Sequence, residues 1–475
     1  MTLTNLIKNT FLVGLAILLY GCVPEMTPRK STPQLPANYA DQSDTLNASN
    51  TVWRDYFQDP NLIMLIDTAL RYNQELNISI QEIEIARNEV QARKGEYLPF
   101  VNAGAGAGFD KVGRYTRSGA LEDNLEIRDG QEFPEPLPDF MLGVYASWEL
   151  DIWRKLRTAK KSALMRYIGT QEARNFMVTN LIAEIANSYY ELLALDNQLD
   201  IVRRNIEIQT NALEVVKLQK QSTRVTELAV RRFEAQVYNT QSLQFEIQQQ
   251  IIEVENRINF ILGRFPQPIQ RNVAYFERAV PDSIKTGIPS QLLANRADIR
   301  QAEKELAAAE LDIQVARANF YPSIGLRAGV GFQAFNPKYL ISPESLMYSL
   351  AGDIVSPLVN RNAIKAMYST ANATQIQAAY NYEQTILNAY IEVANQVTRI
   401  SNLQNSYDFK SRQVQALEES IDISNNLFRS ARADYMEVLL TQRDALESRF
   451  ELIETKMEQF QARINIYRAL GGGWR

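Results

Sequence analysis

The chain has no histidine and a single cysteine in 475 residues. Without histidine there is no Ser/His/Asp arrangement and none of the commonest metal ligand. One thiol excludes an internal disulfide. The longest apolar run, Phe11 to Tyr20, is too short to cross a bilayer as a helix. The net charge is −5 and no domain-sized basic block occurs, so the electrostatic footprint of a nucleic-acid binder is missing. No phosphate-binding or dinucleotide fingerprint follows a strand-like segment. The expectation is a protein that is not an enzyme, with no cofactor, no metal and no nucleic-acid partner.

What is present begins at the N-terminus. Lys8, the apolar run and Gly21 have the layout of a secretory signal over residues 1–21. Leu19-Tyr20-Gly21-Cys22 resembles a bacterial lipobox, with Tyr20 where a small residue is usual. Cys22 is then the expected lipid anchor, and Val23-Pro24 after it resembles outer-membrane sorting. Residues 22–52, rich in Pro, Ser, Thr, Asn and Asp, read as a flexible, lipid-anchored tether.

The rest is written twice. Setting Tyr97–Phe109 above Phe320–Phe332 puts Pro99 on Pro322 and Phe109 on Phe332; carried back without a gap, Glu82 falls on Glu305 and Ala86 on Ala309. The copies divide as residues 53–265 and 266–475. After each proline the pattern has a period of two. Val101, Ala103, Ala105, Ala107 and Phe109 share one face, matched by Ile324, Leu326, Ala328, Val330 and Phe332. Asn102, Gly104, Gly106 and Gly108 lie on the other, with Gly325, Arg327, Gly329 and Gly331 in the second copy. Second alternating runs are Leu142, Val144, Ala146, Trp148, Leu150 and Leu346, Tyr348, Leu350, Ile354. The expected strand pairs are 98–112 with 138–152, and 321–334 with 345–357. This alternation suits membrane strands; half-buried strands of a soluble sheet would give it too. Four strands cannot close a barrel, and open edges in lipid leave backbone groups unpaired. Closure therefore requires oligomerisation, and a trimer supplies about twelve strands.

Elsewhere the period is seven. Val178, Ile185, Leu192, Leu199, Ile206 and Leu213 form one seam, Ile386, Val393, Ile400, Tyr407, Val414 and Ile421 a second, and Leu439, Leu446, Ile453, Phe460 and Tyr467 a third. The helix expected from Lys155 to Gln219 would be roughly 100 Å long. The fold class is mainly α: a long coiled α-helical barrel, plus four strands per protomer that make a membrane β-barrel only in a trimer, built by internal duplication.

Specific motifs now join these patterns. They are Phe57-Gln-Asp-Pro-Asn-Leu62, Trp148-Glu-Leu-Asp-Ile-Trp153, Ile288-Pro-Ser-Gln-Leu-Leu-Ala-Asn-Arg-Ala-Asp-Ile-Arg-Gln-Ala-Glu303, Pro357-Leu-Val-Asn360 and Arg468-Ala-Leu-Gly-Gly-Gly-Trp474. From about Trp53 to Trp474 the chain resembles the TolC family of outer membrane factors, in the lipoprotein branch that serves resistance-nodulation-division pumps. Ala297 departs from the proline usual there.

The resemblance implies a homotrimer in outer membrane lipid with a large periplasmic extension. It also implies two partners, a periplasmic adaptor (membrane fusion) protein and an inner-membrane resistance-nodulation-division transporter. Its helix-hairpin tips fall on Ser222–Val230 and Ser430–Leu439, where the seams break. Adaptor-contact candidates are Thr223, Val225, Thr226, Ala433 and Tyr435. Asp434 would form an acidic ring at the periplasmic gate, and Arg432, Arg429 and Glu437 are candidates for salt bridges that hold the tip closed. The function implied is a passive conduit for drugs or other small molecules from periplasm to exterior. The exit duct of a type I secretion or ATP-driven export system shares this architecture. A structural periplasmic coiled-coil trimer is the alternative of another class, and it has no use for the strand pairs.

Overall fold

The computed structural model describes residues 23–31, 35–39, 47–128, 130–278, 285–430 and 432–474. Cys22 and the signal-like segment lie outside them. In chain order the helices are α1 (Trp53–Tyr56), α2 (Pro60–Tyr72), α3 (Gln74–Glu96), α4 (Arg117–Asn124), α5 (Lys155–Gln221), α6 (Glu227–Ile261), α7 (Val273–Arg278), α8 (Leu292–Asn295), α9 (Ala297–Ala318), α10 (Asn362–Arg429) and α11 (Tyr435–Ala469). The strands are β1 (Phe100–Asp110), β2 (Glu126–Arg128), β3 (Gln131–Glu132), β4 (Leu137–Leu150), β5 (Ser323–Ala334) and β6 (Leu346–Val355). The duplication is plain in the lengths: α5 and α10 have 67 and 68 residues, and α6 and α11 have 35 each. No described helix is long and apolar enough to cross a membrane.

Two compact units divide the chain, and each draws on both copies. One comprises the N-terminal segment up to Lys30 with Glu84–Ile168 and Lys304–Tyr380. It holds a four-stranded antiparallel sheet in the order β1-β4-β5-β6. The polar stretch between β1 and β4 is not a bare loop: it carries α4 and the β2–β3 pair.

The other unit comprises Ser31–Ile83, Gly169–Glu303 and Asn381–Arg475. Its main core is built on the expected seam, with Val178, Ile185, Leu192 and Leu199 packed among Ile247, Ile251, Val254, Ile258, Phe460 and Tyr467. Stacking the a and d positions of antiparallel helices buries these side chains because their period keeps them on the facing side. Asp59 is buried, accepts from the Asn61 N–H at the start of α2, and receives the Tyr189 hydroxyl at 2.7 Å. A buried carboxylate so paired helps fix the stretch around Pro60 against α5.

The described parts of the N-terminal tether depart from expectation. Tyr39 is fully buried and stacks on Tyr390 with ring centroids 5.5 Å apart. Asn47 pairs with Thr286 across an antiparallel bridge. Composition had suggested flexibility, but aromatic burial in the main fold repays the ordering entropy that composition alone cannot.

Candidate functional site

The register of the sheet decides what each face offers. Directly opposed residues share a face. Ala103, Val144, Val330 and Tyr348 therefore form one row, Val101, Ala146, Ala328 and Leu350 the next, and Leu150, Ile324 and Ile354 another. This is the apolar face read from the period of two. In the single chain it is open: Leu350 is 80% and Ile354 71% exposed. A half-buried soluble sheet would cover that face, and none of the described residues does.

The opposite face carries Asn102, Tyr145, Gly329 and Ser349 in one row and Glu149, Gly325 and Asp353 in another. Its glycines do more than leave space. A Cβ on Gly329 would stand 3.1 Å from the Tyr145 ring, and one on Gly143 3.0 Å from the Tyr145 hydroxyl. The missing side chains seat that ring, as aromatic groups do over strand glycines.

At the end of the sheet where β1 and β5 begin and β4 ends, aromatic residues are tied to the backbone. The Trp148 indole donates to the Tyr97 carbonyl at 3.1 Å and the Trp153 indole to the Pro322 carbonyl at 2.7 Å, while Trp153 stacks on Tyr321 at 4.7 Å. Rings with one polar end collect at membrane–water interfaces. Directly after β4, Asp151 caps α5 by accepting from the backbone N–H groups of Leu156 and Arg157, and it pairs with the Arg157 guanidinium.

The hairpin tips come together. At the first, Thr223 has φ of 58°, with Thr223 N–H bonded to Lys220 O and Arg224 N–H to Gln219 O. This is a Schellman ending whose left-handed position, usually glycine, is held by a β-branched residue. Thr226 caps α6 by accepting from the Ala229 N–H, and Glu227 is paired with Lys220 and Arg231. The hydrogen bond from Lys220 holds the Glu227 carboxyl below its ordinary value. Val225 packs in a small cluster with Leu213, Val216, Val230 and Phe233, and Phe428, Tyr435 and Leu439 of the second hairpin join it. Of the adaptor candidates, Val225 and Tyr435 thus share one cluster, Ala433 is half-buried, and Thr223 and Thr226 are exposed.

Asp434 is the N-cap residue of α11 but makes no side-chain capping bond, and it is exposed. Arg429, Arg432 and Glu437 are exposed as well. No ion pair joins these four to one another among the described residues.

A third constellation lies on the motif around Arg296. This guanidinium is 5% exposed and binds Asp298, Glu392 and the carbonyl of Ala469. Burial opposes its charge, but the bonds to Asp298 and the charge of Glu392 outweigh burial, so its pKa is raised. Ala297, the departure from proline, is the first residue of α9 and is buried.

Two features escaped sequence reading. Tyr238, Phe245 and Ile252 are seven apart on α6 and 66%, 68% and 50% exposed, a second apolar stripe off the main seam. Its signal, a heptad shifted from the first, was masked by the Gln-rich residues between. The other is Gln375, fully buried against the N-terminal segment, which has no local pattern at all.

An amphipathic antiparallel sheet with aromatic anchors, joined by sequence to helical hairpins, defines the class of an outer membrane channel. A family model described as outer membrane efflux protein matches residues 65–264 and 288–472. The chain belongs to that family and is an outer membrane efflux protein. It is 26% identical over 475 residues to the pyoverdine export outer membrane protein OpmQ of Pseudomonas aeruginosa, covering 98% of this chain and 97% of that one. With the cation efflux system protein CusC of Escherichia coli O6:H1 it shares 26% identity over 468 residues, 97% of each chain. It shares the fold of the open-state MtrE outer membrane channel of Neisseria gonorrhoeae, with a TM-score of 0.82 at 22% identity over 96% of this chain and 99% of that one.

Proposed function

We propose that the chain is one protomer of a homotrimeric, lipid-anchored conduit in a tripartite pump. It passes small molecules from periplasm to exterior without making or breaking a bond. The observation that carries this is the sheet with two open edges, β1 and β6, and one exposed apolar face. Open edges are not tolerated in lipid. Because each strand is antiparallel to the next, β1 and β6 run in opposite directions, and β6 of one copy lies antiparallel to β1 of the next around a ring. Three copies give about twelve strands, a size known for membrane barrels.

The exposed stripe of Tyr238, Phe245 and Ile252 supports association of copies along the helices too. Cys22 carries the lipid. The tips at Thr223, Val225, Thr226, Ala433 and Tyr435 receive a periplasmic adaptor, and through it a resistance-nodulation-division transporter that supplies the energy. The relatives named for pyoverdine and for cations carry different cargo, so the substrate class stays with the partner transporter.

The test is purification from outer membranes in mild detergent, with mass determination and planar-bilayer conductance. A heat-sensitive trimer forming small cation-selective channels is expected. A soluble species without channel activity would overturn the reading.

A further inference from the structure

The N-terminal segment is docked, and its receptor is specific. Between Val23 and Lys30 the half-buried residues are Val23, Pro24, Met26 and Arg29, and the segment forms neither helix nor strand. Its backbone therefore lacks the ladder of a regular element and must find partners for its buried groups elsewhere.

Gln375 of α10 supplies them. Its side chain is fully buried; its Oε1 accepts from the Arg29 N–H at 2.9 Å and its Nε2 donates to the Arg29 carbonyl at 2.8 Å. One amide thus satisfies both backbone groups of one residue, as a neighbouring β-strand would. Only this orientation of the amide makes both bonds. The Arg29 guanidinium lies 4.0 Å above the Tyr380 ring, within cation–π range. Val23 and Met26 pack on the cluster of Ile313, Ala316, Phe320 and Tyr368. Phe320 is three residues before β5, so Val23 is held close to the foot of the sheet.

We propose that Gln375 and Tyr380 form a receptor for the N-terminal segment and thereby fix where a lipid carried on Cys22 enters the membrane. This rests on reading Cys22 as the anchor. Val23, the first described residue, follows Cys22 directly in the chain. A free tether of some thirty residues would instead let the anchor wander over roughly 30 Å. A dock that reaches Val23, against Phe320 just before β5, limits that wandering, and Gln375 acts as a positioning residue for the anchor.

The experiment uses the full chain purified from outer membranes in mild detergent and follows trypsin cleavage after Lys30, which is exposed, alongside acyl labelling of Cys22 and the thermal stability of the trimer. Gln375→Ala should speed cleavage about tenfold, because two hydrogen bonds and the dock are lost, while acyl labelling and thermal stability stay at parent values. Arg29→Pro, which deletes the N–H donor on the segment and leaves α10 untouched, should do the same. Gln375→Glu keeps the acceptor and loses the donor, and should fall between. Parent cleavage as fast as in Gln375→Ala and Arg29→Pro would overturn the dock. Slow cleavage with no acyl labelling of the parent would overturn the anchor reading and, with it, the positioning role.

Discussion

The Arg296 guanidinium donates to the carbonyl of Ala469 at 3.0 Å, across 173 residues of chain. It joins the start of the second copy to the end of its last helix. Replacing it with alanine strands Asp298 and Glu392 without their counter-charge and leaves the Ala469 carbonyl unpaired. The expected cost is about 3–5 kcal/mol, read as a large drop in thermal stability of the detergent-purified protein. A drop no larger than that of an exposed control such as Arg204→Ala would refute it.

Gly471, at the same junction, contrasts with Gly95 elsewhere in the chain. Gly471 has φ of 86°, and a Cβ there would stand 2.5 Å from the Asn295 carbonyl. Gly95, in α3, has nothing within 4 Å of its Cβ position. Gly471→Ala should destabilise by more than about 1 kcal/mol, whereas Gly95→Ala should stabilise by up to about 1 kcal/mol. Opposite signs in paired thermal melts are the check.

A polar layer interrupts the apolar seam of the first hairpin. Gln209 and Thr240 are both buried, the Thr240 hydroxyl donating to Gln209 Oε1 at 2.8 Å. The Gln209 Nε2 has no partner among the described residues. Thr240→Val alone should cost about 1–3 kcal/mol by orphaning the amide oxygen, while Gln209→Leu with Thr240→Val should be neutral or stabilising. Additive losses in the double variant would contradict this.

Asp151 should lend the fold a pH-dependent share of its stability. Burial pushes its carboxyl up, but the backbone N–H groups of Arg157 and Leu156 and the Arg157 guanidinium outweigh burial and hold its pKa below the ordinary value. With a lowered folded pKa, its contribution is full above the unfolded value of about 3.9 and fades as pH falls through the folded one. Asp151→Asn should melt below the parent at pH 7, with the gap closing as pH drops below about 4. A gap constant with pH would assign the effect to packing.

At the second tip, Asp434 leaves its carboxylate free of the capping bond its position invites. If three copies meet around an axis, Asp434→Ala should raise single-channel conductance and weaken cation preference in planar bilayers. Unchanged traces would make it an ordinary exposed turn residue.

The local periods were legible residue by residue. Val101 to Phe109 and Leu142 to Leu150 alternate because a strand turns its side chains every two residues. Val178 to Leu213 repeat by seven because a coiled helix does. Strand pairs, seams and hairpin breaks therefore followed from sequence alone, and with them the channel class. The sequence could not determine what depends on residues far apart meeting. The seating of Tyr145 over Gly143 and Gly329, the sharing of one cluster by Val225 and Tyr435, the Arg296 junction and the grip of Gln375 on Arg29 carry no period. Each is a single side chain meeting a distant partner, and only tertiary packing supplies the burial that turns such a meeting into a stable contact.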